Sequence, residues 1–230
     1  MSDNQASMDF SMVIASTVHD MKNSLSTLSQ SHNRWLEQLT EEQRDTPEHG
    51  VIEYEFARLN GMLVQLLGLY KLDVNQLPLR PDYHEMDDFI ESQLAHHQEV
   101  LNSRGIVATS EVDALIPLGF FDRELIGTVV GNILVNAIRH AEKTIAVSVR
   151  EDEGQLCIVI NDDGEGYPAS MIEKQADYAL GINQVSGSTG LGLYFAARIA
   201  EQHQRNGVHG RIELANGGPL GGGVFSIYLP

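Results

Sequence analysis

Within the stretch Val18-His19-Asp20-Met21-Lys22-Asn23-Ser24-Leu25, a histidine, an acid, a base and an amide occupy nearly consecutive positions between apolar residues. A neutral imidazole nitrogen is a good nucleophile, and an adjacent carboxylate can orient the ring and take up its proton. His19 is therefore a candidate nucleophile and Asp20 its candidate general base. The same residue types also suit the wet face of an ordinary helix, so the rest of the chain has to supply the chemistry.

Three further clusters lie in the C-terminal half. Asn132-Ile133-Leu134-Val135-Asn136-Ala137-Ile138-Arg139-His140 sits in a strongly periodic apolar stretch, which brings Asn132, Asn136, Arg139 and His140 within reach of one helix face. Amide oxygens can complete the shell of a hard cation, and a neighbouring Arg and His can meet phosphate oxygens. Asn161-Asp162-Asp163-Gly164-Glu165-Gly166-Tyr167-Pro168 follows the apolar run Leu156-Cys157-Ile158-Val159-Ile160. A carboxylate at a strand end can accept a hydrogen bond from an exocyclic amine, while Gly164 and Gly166 let the backbone turn tightly beside a ligand. Gly187-Ser188-Thr189-Gly190-Leu191-Gly192-Leu193 opens into an apolar-periodic helix, whose free N–H groups and dipole suit a phosphate. It is neither a P-loop nor a dinucleotide fingerprint. Taken singly, each cluster also fits a solvated face, a hairpin turn or a glycine loop.

The elements that carry these residues change character along the chain. From about Met8 to Leu39, Ile14, Val18, Met21, Leu25, Leu28, Trp35 and Leu39 follow a heptad-like seam, with His32 in its one polar slot. Turn chemistry at Thr46-Pro47-Glu48-His49-Gly50 precedes a second seam at Ile52, Phe56, Leu59, Leu63, Leu66 and Tyr70. The pattern predicts a helical hairpin over residues 1–76. Met62, Leu67 and Leu69 widen the second helix's apolar arc, so two hairpins are expected to pair as a four-helix bundle in a homodimer. Leu77-Pro78-Leu79-Arg80-Pro81 marks the start of a second domain over residues 77–230. There the expectation is helices over Met86–Leu101, Asp122–Ala141 and Leu191–Gln204. Strands are expected over Gly105–Val112, Thr144–Val149, Leu156–Ile160, Arg211–Leu214 and Val224–Leu229. The fold class is α+β: an antiparallel helical hairpin followed by an α/β sandwich with one mixed sheet and one helical layer.

The chain has 230 residues, 42% apolar and 20% charged, an ordinary globular composition. Its formal charge of −17 argues against a partner that is nucleic acid or an anionic membrane, and suits protein partners. One cysteine, Cys157, permits neither an intrachain disulfide nor a Cys-rich metal site. No apolar run approaches the roughly 18 residues of a membrane span, and the first residues do not read as a secretion signal. A cytoplasmic location is expected.

In this order and spacing, the NxxxN helix, the DxGxG turn and the GxxGLGL helix start resemble the nucleotide-binding boxes of the Bergerat-fold ATPase superfamily. With the preceding hairpin and its His-Asp-x-Lys-Asn, the chain from about Asp9 to Pro230 resembles the catalytic core of a bacterial two-component sensor histidine kinase. The resemblance implies ATP and Mg2+ as cofactors, autophosphorylation on His19, and transfer to an aspartate of a response-regulator receiver domain. Asn136 would ligate Mg2+, Asn132 would support that site, and Arg139 and His140 would lie near phosphate or ribose. Asp162 would read the adenine amine, with Gly164 and Gly166 allowing close approach. Thr189, Gly190, Leu191 and Gly192 would shape the lid hinge beside the triphosphate. Lys22 would help compensate charge. Asn23 occupies the position where related kinases carry an Asn or Thr that positions water to dephosphorylate the regulator.

Two departures stand out. Hydrolytic members of the superfamily typically have glutamate at the position of Asn132, so its absence here fits phosphoryl transfer to a side chain. Ser24 stands where the family often has proline, so the helix need not kink beside His19. No sensor or receiver domain lies in the sequence; for a complete chain the signal is expected from a separate sensor protein, a short N-terminal extension or the dimer bundle itself, and the alternative is a piece of a longer protein. The alternatives are a histidine phosphotransfer or scaffold protein with a degenerate ATP domain, favoured by the short, base-poor segment between Tyr167 and Gly187, and a serine kinase of the anti-sigma type. The intact asparagines, Asp162 and glycines oppose the former, and the histidine-bearing hairpin opposes the latter.

Overall fold

The computed structural model describes residues 3–40, 47–74, 76–173 and 191–230. The chain divides into two compact units, Met1–Pro78 and Leu79–Pro230.

The first unit is built on helices α1 (Asp3–Leu36) and α2 (Pro47–Asp73). The turn expected at residues 46–50 is corrected from Pro47 onward, because these residues open α2. Proline suits the first helical position, where its missing N–H is not needed and its φ is already helical. The α1 helix runs unbroken through Ser24. The helices meet through Val18 and Tyr54, both buried, and through the His32 ring, 5.2 Å from His49 and 5.8 Å from Phe56. The apolar seam of α1 splits into two stripes of period seven. Val18, Leu25 and His32 are turned inward, while Met21, Leu28 and Trp35 stay 52%, 59% and 55% exposed. On α2, Ile52, Leu59 and Leu66 form a matching stripe, 40%, 41% and 39% exposed.

The second unit follows the order β1 (Asp82–Glu85), α3 (Met86–His96), α4 (Gln98–Ser103), β2 (Val107–Val112), β3 (Leu118–Phe121), α5 (Arg123–His140), β4 (Thr144–Asp152), β5 (Gln155–Asp162), α6 (Ala169–Glu173), α7 (Leu191–Gln202), β6 (Gln204–Arg205), β7 (Val208–His209), β8 (Arg211–Asn216) and β9 (Gly223–Leu229). The main sheet has the order β2-β4-β5-β9-β8, with β2 parallel to β4 and the other pairs antiparallel. The expected mixed sheet is present, with α3, α5 and α7 packed against its strands and one another. Three differences have local causes. The single helix expected over 86–101 is two, interrupted at His97, whose φ of −109° and ψ of 5° leave the helical region. The β1–β3 pair is only four residues long, too short for an alternation to register. The β6–β7 hairpin turns through Asn206 and Gly207, both at positive φ, an Asn-Gly hairpin signal.

Strand β5 is a continuous apolar run because it is covered on both faces. Ile158 and Ile160 are buried, and so are their alternates Cys157 and Val159, which cluster with Tyr228. The Arg211 guanidinium lies 3.8 Å over the Tyr228 ring and roofs this second face. Helix α5 buries Ile126, Val129, Val130, Ile133, Leu134, Ala137 and Ile138, which fixes the rotation of its polar stripe. Truncating one of the larger of these to alanine would cost about 2–5 kcal/mol.

The start of α5 is anchored at three points. Asp122 caps it, its Oδ1 accepting from the N–H groups of Glu124 and Leu125 at 3.1 Å each. Its Oδ2 accepts from the Arg80 N–H at 2.8 Å, and its own N–H donates to His203 Nε2 at 3.0 Å. His203 is buried at the end of α7 and its Nδ1 lies 2.8 Å from the Ile199 carbonyl oxygen, so the ring serves as a neutral Nδ1–H tautomer. Burial holds His203 below the usual imidazole range, and burial does the same to His97. A histidine whose folded value is depressed destabilises the fold when the unfolded chain takes up the proton first. Stability should be full above about pH 6.5 and fall as the pH drops below it. Thermal melts between neutral pH and about pH 5 should show this loss, and His203→Gln, which retains an acceptor for Asp122, should flatten it.

Candidate functional site

On α1, His19 and Asp20 are largely exposed, their side chains at 67% and 77% of full accessibility. Asp20 Oδ1 lies 3.7 Å from His19 Nδ1, and Asn23, one turn on, places its amide nitrogen 3.2 Å from the same Nδ1. Lys22 is exposed nearby. The helix thus brings its four candidate residues together, with the contacts converging on one imidazole nitrogen.

On α5 the buried apolar face turns Asn132 and Asn136 to the other side, Asn132 half-buried and Asn136 exposed. Arg139 and His140 are exposed in the last turn. The carbonyl groups there that lack helical partners are met by Arg104, whose Nη1 donates to Ile138 O at 3.0 Å and Arg139 O at 3.4 Å. The Asn132 amide nitrogen is buried and has no hydrogen-bond partner among the described residues. A buried N–H without an acceptor costs about 1–3 kcal/mol, so this stripe has an unmet need for an acceptor such as a phosphate oxygen. Asn136, with its amide exposed on the same stripe, offers the neutral oxygen that suits a hard cation. The residues present therefore fit a nucleotide with its Mg2+.

The turn after β5 is tied down by Asp162. Its Oδ1 accepts from Gly164 N–H at 2.9 Å and Gly223 N–H at 3.1 Å, and its carbonyl accepts from Gly222 N–H at 3.1 Å. Oδ2 accepts no hydrogen bond from the described residues, so one carboxylate oxygen is committed to the fold and the other remains available. The glycines are needed for reasons other than close approach of a ligand. A Cβ on Gly164 would land on the His140 carbonyl, and one on Gly166, which has φ +82°, would lie 2.6 Å from Asn216 Oδ1. Leu191 and Gly192 open α7 and are half-buried. Thr189 and Gly190 lie outside the described residues.

Four residues that sequence reasoning missed complete this corner. Asn216 clamps Tyr167 across the chain, accepting from its N–H at 2.7 Å and donating to its carbonyl at 2.7 Å. Asn161 donates to Gly223 O at 2.8 Å and accepts from Leu220 N–H at 3.0 Å, which pins the glycine loop between β8 and β9. Asp163 Oδ1 takes the N–H groups of Glu142 at 2.8 Å and Lys143 at 3.1 Å, fixing the link from α5 to β4. Burial is the largest single influence on the Asp163 carboxyl and pushes its pKa up, but the backbone N–H bonds from Lys143, Thr144 and Glu142 together outweigh it and lower the pKa. Tyr167 is held as a neutral phenol, burial first and then the Asp162 charge raising its pKa. The run of glycines from Gly217 to Gly223 was the available signal, since Gly222 and Gly223 leave no room for a Cβ beside Asp162.

A mixed sheet layered with helices, an amide stripe on α5 and a carboxylate at the end of β5 make an α+β unit whose polar groups suit a nucleotide. Residues 121–230 match the family of histidine kinase-, DNA gyrase B- and HSP90-like ATPases. The heme sensor protein HssS of Staphylococcus aureus (strain JH9) is 26% identical over 180 residues, covering 75% of this chain and 36% of that protein. The chain thus spans little more than a third of the length of the curated relatives it matches. Among solved structures, the nucleotide-free catalytic domain of histidine kinase ThkA superposes with a TM-score of 0.56 at 22% identity, covering 66% of this chain and 97% of that one. Full-length ShkA in complex with AMPPNP gives 0.65 at 18% identity, covering 95% and 45%. Acinetobacter baumannii histidine kinase AdeS gives 0.57 at 18%, covering 92% and 96%. The likeness to these structures is one of fold. With the family and HssS matches, it supports a two-component sensor kinase core with an ATP-binding domain.

Because Gly164 is set by packing against His140, Gly164→Ala should destabilise the second unit by about 1–3 kcal/mol, read as a lower urea midpoint. An unchanged midpoint would show that the turn can move away from α5 at no cost.

Proposed function

We propose that the chain is a histidine kinase that autophosphorylates on His19 from ATP and passes the phosphoryl group to an aspartate of a receiver domain. The observation that carries this reading is the His19 ring. Asp20 lies beside Nδ1, which leaves Nε2 as the nitrogen for attack when the ring proton is on Nδ1. In the Nδ1–H tautomer, the Nε2 lone pair bonds to the γ-phosphorus as the bond to the β,γ-bridging oxygen breaks. ADP leaves with that electron pair, and the Nδ1 proton passes to Asp20. Lys22 compensates phosphate charge from the same helix face.

In the second unit, Asp162 Oδ2 accepts from the adenine amine, Asn132 donates to a phosphate oxygen, and Arg139 and His140 lie toward phosphate or ribose. Asn136 holds Mg2+, whose charge offsets that of the phosphate oxygens. Leu191 and Gly192, at the start of α7, lie toward the triphosphate. Asn23 also positions water for dephosphorylating the regulator. The exposed stripes of Met21, Leu28 and Trp35 on α1 and Ile52, Leu59 and Leu66 on α2 support pairing of two hairpins as a four-helix bundle. The net charge of −17 supports protein partners, including a separate sensor, over nucleic acid or an anionic membrane surface. Among the described residues no helix is long and apolar enough to cross a membrane, and a cytoplasmic setting is part of this reading.

Incubation with labelled ATP and Mg2+ tests the reading. The wild-type chain should acquire acid-labile, alkali-stable label, and His19→Gln and Asn136→Ala should each lose nearly all of it. An unlabelled wild type that still accepts phosphate on His19 from a phosphorylated receiver domain would replace the kinase with a phosphotransfer protein.

A further inference from the structure

We infer that Asn23 is a tautomer gate for His19, holding the phosphoacceptor in its unreactive form until Asp20 displaces it. The inference rests on the kinase reading for its consequence, but its chemistry is contained in two distances. Asn23 places its amide nitrogen 3.2 Å from Nδ1, and Asp20 places a carboxylate oxygen 3.7 Å from the same atom. These neighbours demand opposite protonation states. An amide N–H donor needs a lone pair on Nδ1, which puts the ring proton on Nε2. A carboxylate needs a proton on Nδ1, which puts the lone pair on Nε2.

The two contacts are also unequal. The Asn23 contact is within hydrogen-bonding distance, whereas 3.7 Å leaves Asp20 outside it. While Asn23 donates to Nδ1 the ring is Nε2–H, with no lone pair on the nitrogen that must attack phosphorus. Reaction requires the ring proton to move to Nδ1, Asn23 to release it, and Asp20 to close by a few tenths of an ångström. The geometry favours such a gate because both partners sit on the helix of His19, Asp20 adjacent and Asn23 one turn on. Small rotamer changes of exposed side chains then exchange one contact for the other. Asn23 is a positioning residue in this step: it acts through the imidazole and touches no reacting atom.

The test combines a spectroscopic readout with a rate. The full chain, labelled with 15N-histidine, is compared as wild type, Asn23→Ala and Asn23→Asp, with His19→Gln assigning the His19 signals among the nine histidines. Ring-nitrogen shifts in alkaline buffer without nucleotide report the tautomer ratio. The Nε2–H fraction should be highest in wild type, lower in Asn23→Ala and lowest in Asn23→Asp, which can only accept. The ratio of Nδ1–H to Nε2–H should rise about threefold on alanine substitution, the scale of one exposed hydrogen bond. The initial rate of His19 labelling from ATP, measured with no receiver domain present so that dephosphorylation does not enter, should rise by a similar factor. An identical tautomer ratio in wild type and Asn23→Ala would overturn the inference. A shifted ratio with an unchanged or lower rate would overturn the gate as well. The ratio is read without ATP, so a wild type that takes no label would defeat the kinase reading while the ratio still judges the Asn23 contact.

Discussion

The second unit depends on the placement of a single carboxylate. Asp162 ends the most buried strand of the sheet, and its Oδ1 gathers the N–H groups of Gly164 and Gly223 from segments that are distant in sequence. With the Gly222 bond to its carbonyl, this closes the corner where β5, β9 and the glycine loop meet. A 7% exposed carboxylate is costly to desolvate, and charge-assisted bonds to backbone N–H groups offset much of that cost. The geometry of those bonds also fixes where Oδ2 lies. One oxygen of the side chain thereby meets a fold requirement, and the proposed recognition of adenine falls to the other.

The contrast with His19 is instructive. Asp162 itself is buried, packed by glycines that exclude a Cβ, and its corner is pinned by Asn161 and Asn216. His19 stands on an exposed helix face among partners from its own helix. The two arrangements suit the proposed tasks: a group proposed to read adenine is preorganised, whereas a proposed phosphoacceptor has to reach another site and a partner protein. Between these extremes lies α5, whose apolar face is locked in the core while its amide stripe keeps one donor unsatisfied.

Much of this was legible in the sequence because it is local. The two long helices, the amide stripe of α5 and the apolar run of β5 follow from periodicity over neighbouring residues. What escaped is long-range or small. Asn216 acts on Tyr167, a pairing that no local pattern encodes, and Asn161 reads as part of a polar turn until the glycine loop is seen to hang from it. A packing need for Gly164 and Gly166 is hidden in the same way, since their neighbours are His140 and Asn216. The break at His97 interrupts a stretch expected to be one helix, and the start of α2 at Pro47 makes helix of residues expected to turn. The homodimer, the receiver partner and the roles of individual site residues come from pattern and resemblance, and they stand as proposals.

The division of labour within Asp162 is the central claim, and nucleotide affinity of Asp162→Asn tests it most directly. The asparagine can keep an acceptor where Oδ1 holds the two glycine N–H groups, but it replaces Oδ2 with a donor that faces the adenine amine. The account predicts that calorimetric titration with Mg-ATP will show affinity lowered by at least about tenfold, the equivalent of one lost and one repelled hydrogen bond, with a melting temperature within a few degrees of wild type. Wild-type affinity in a folded Asp162→Asn chain would contradict it.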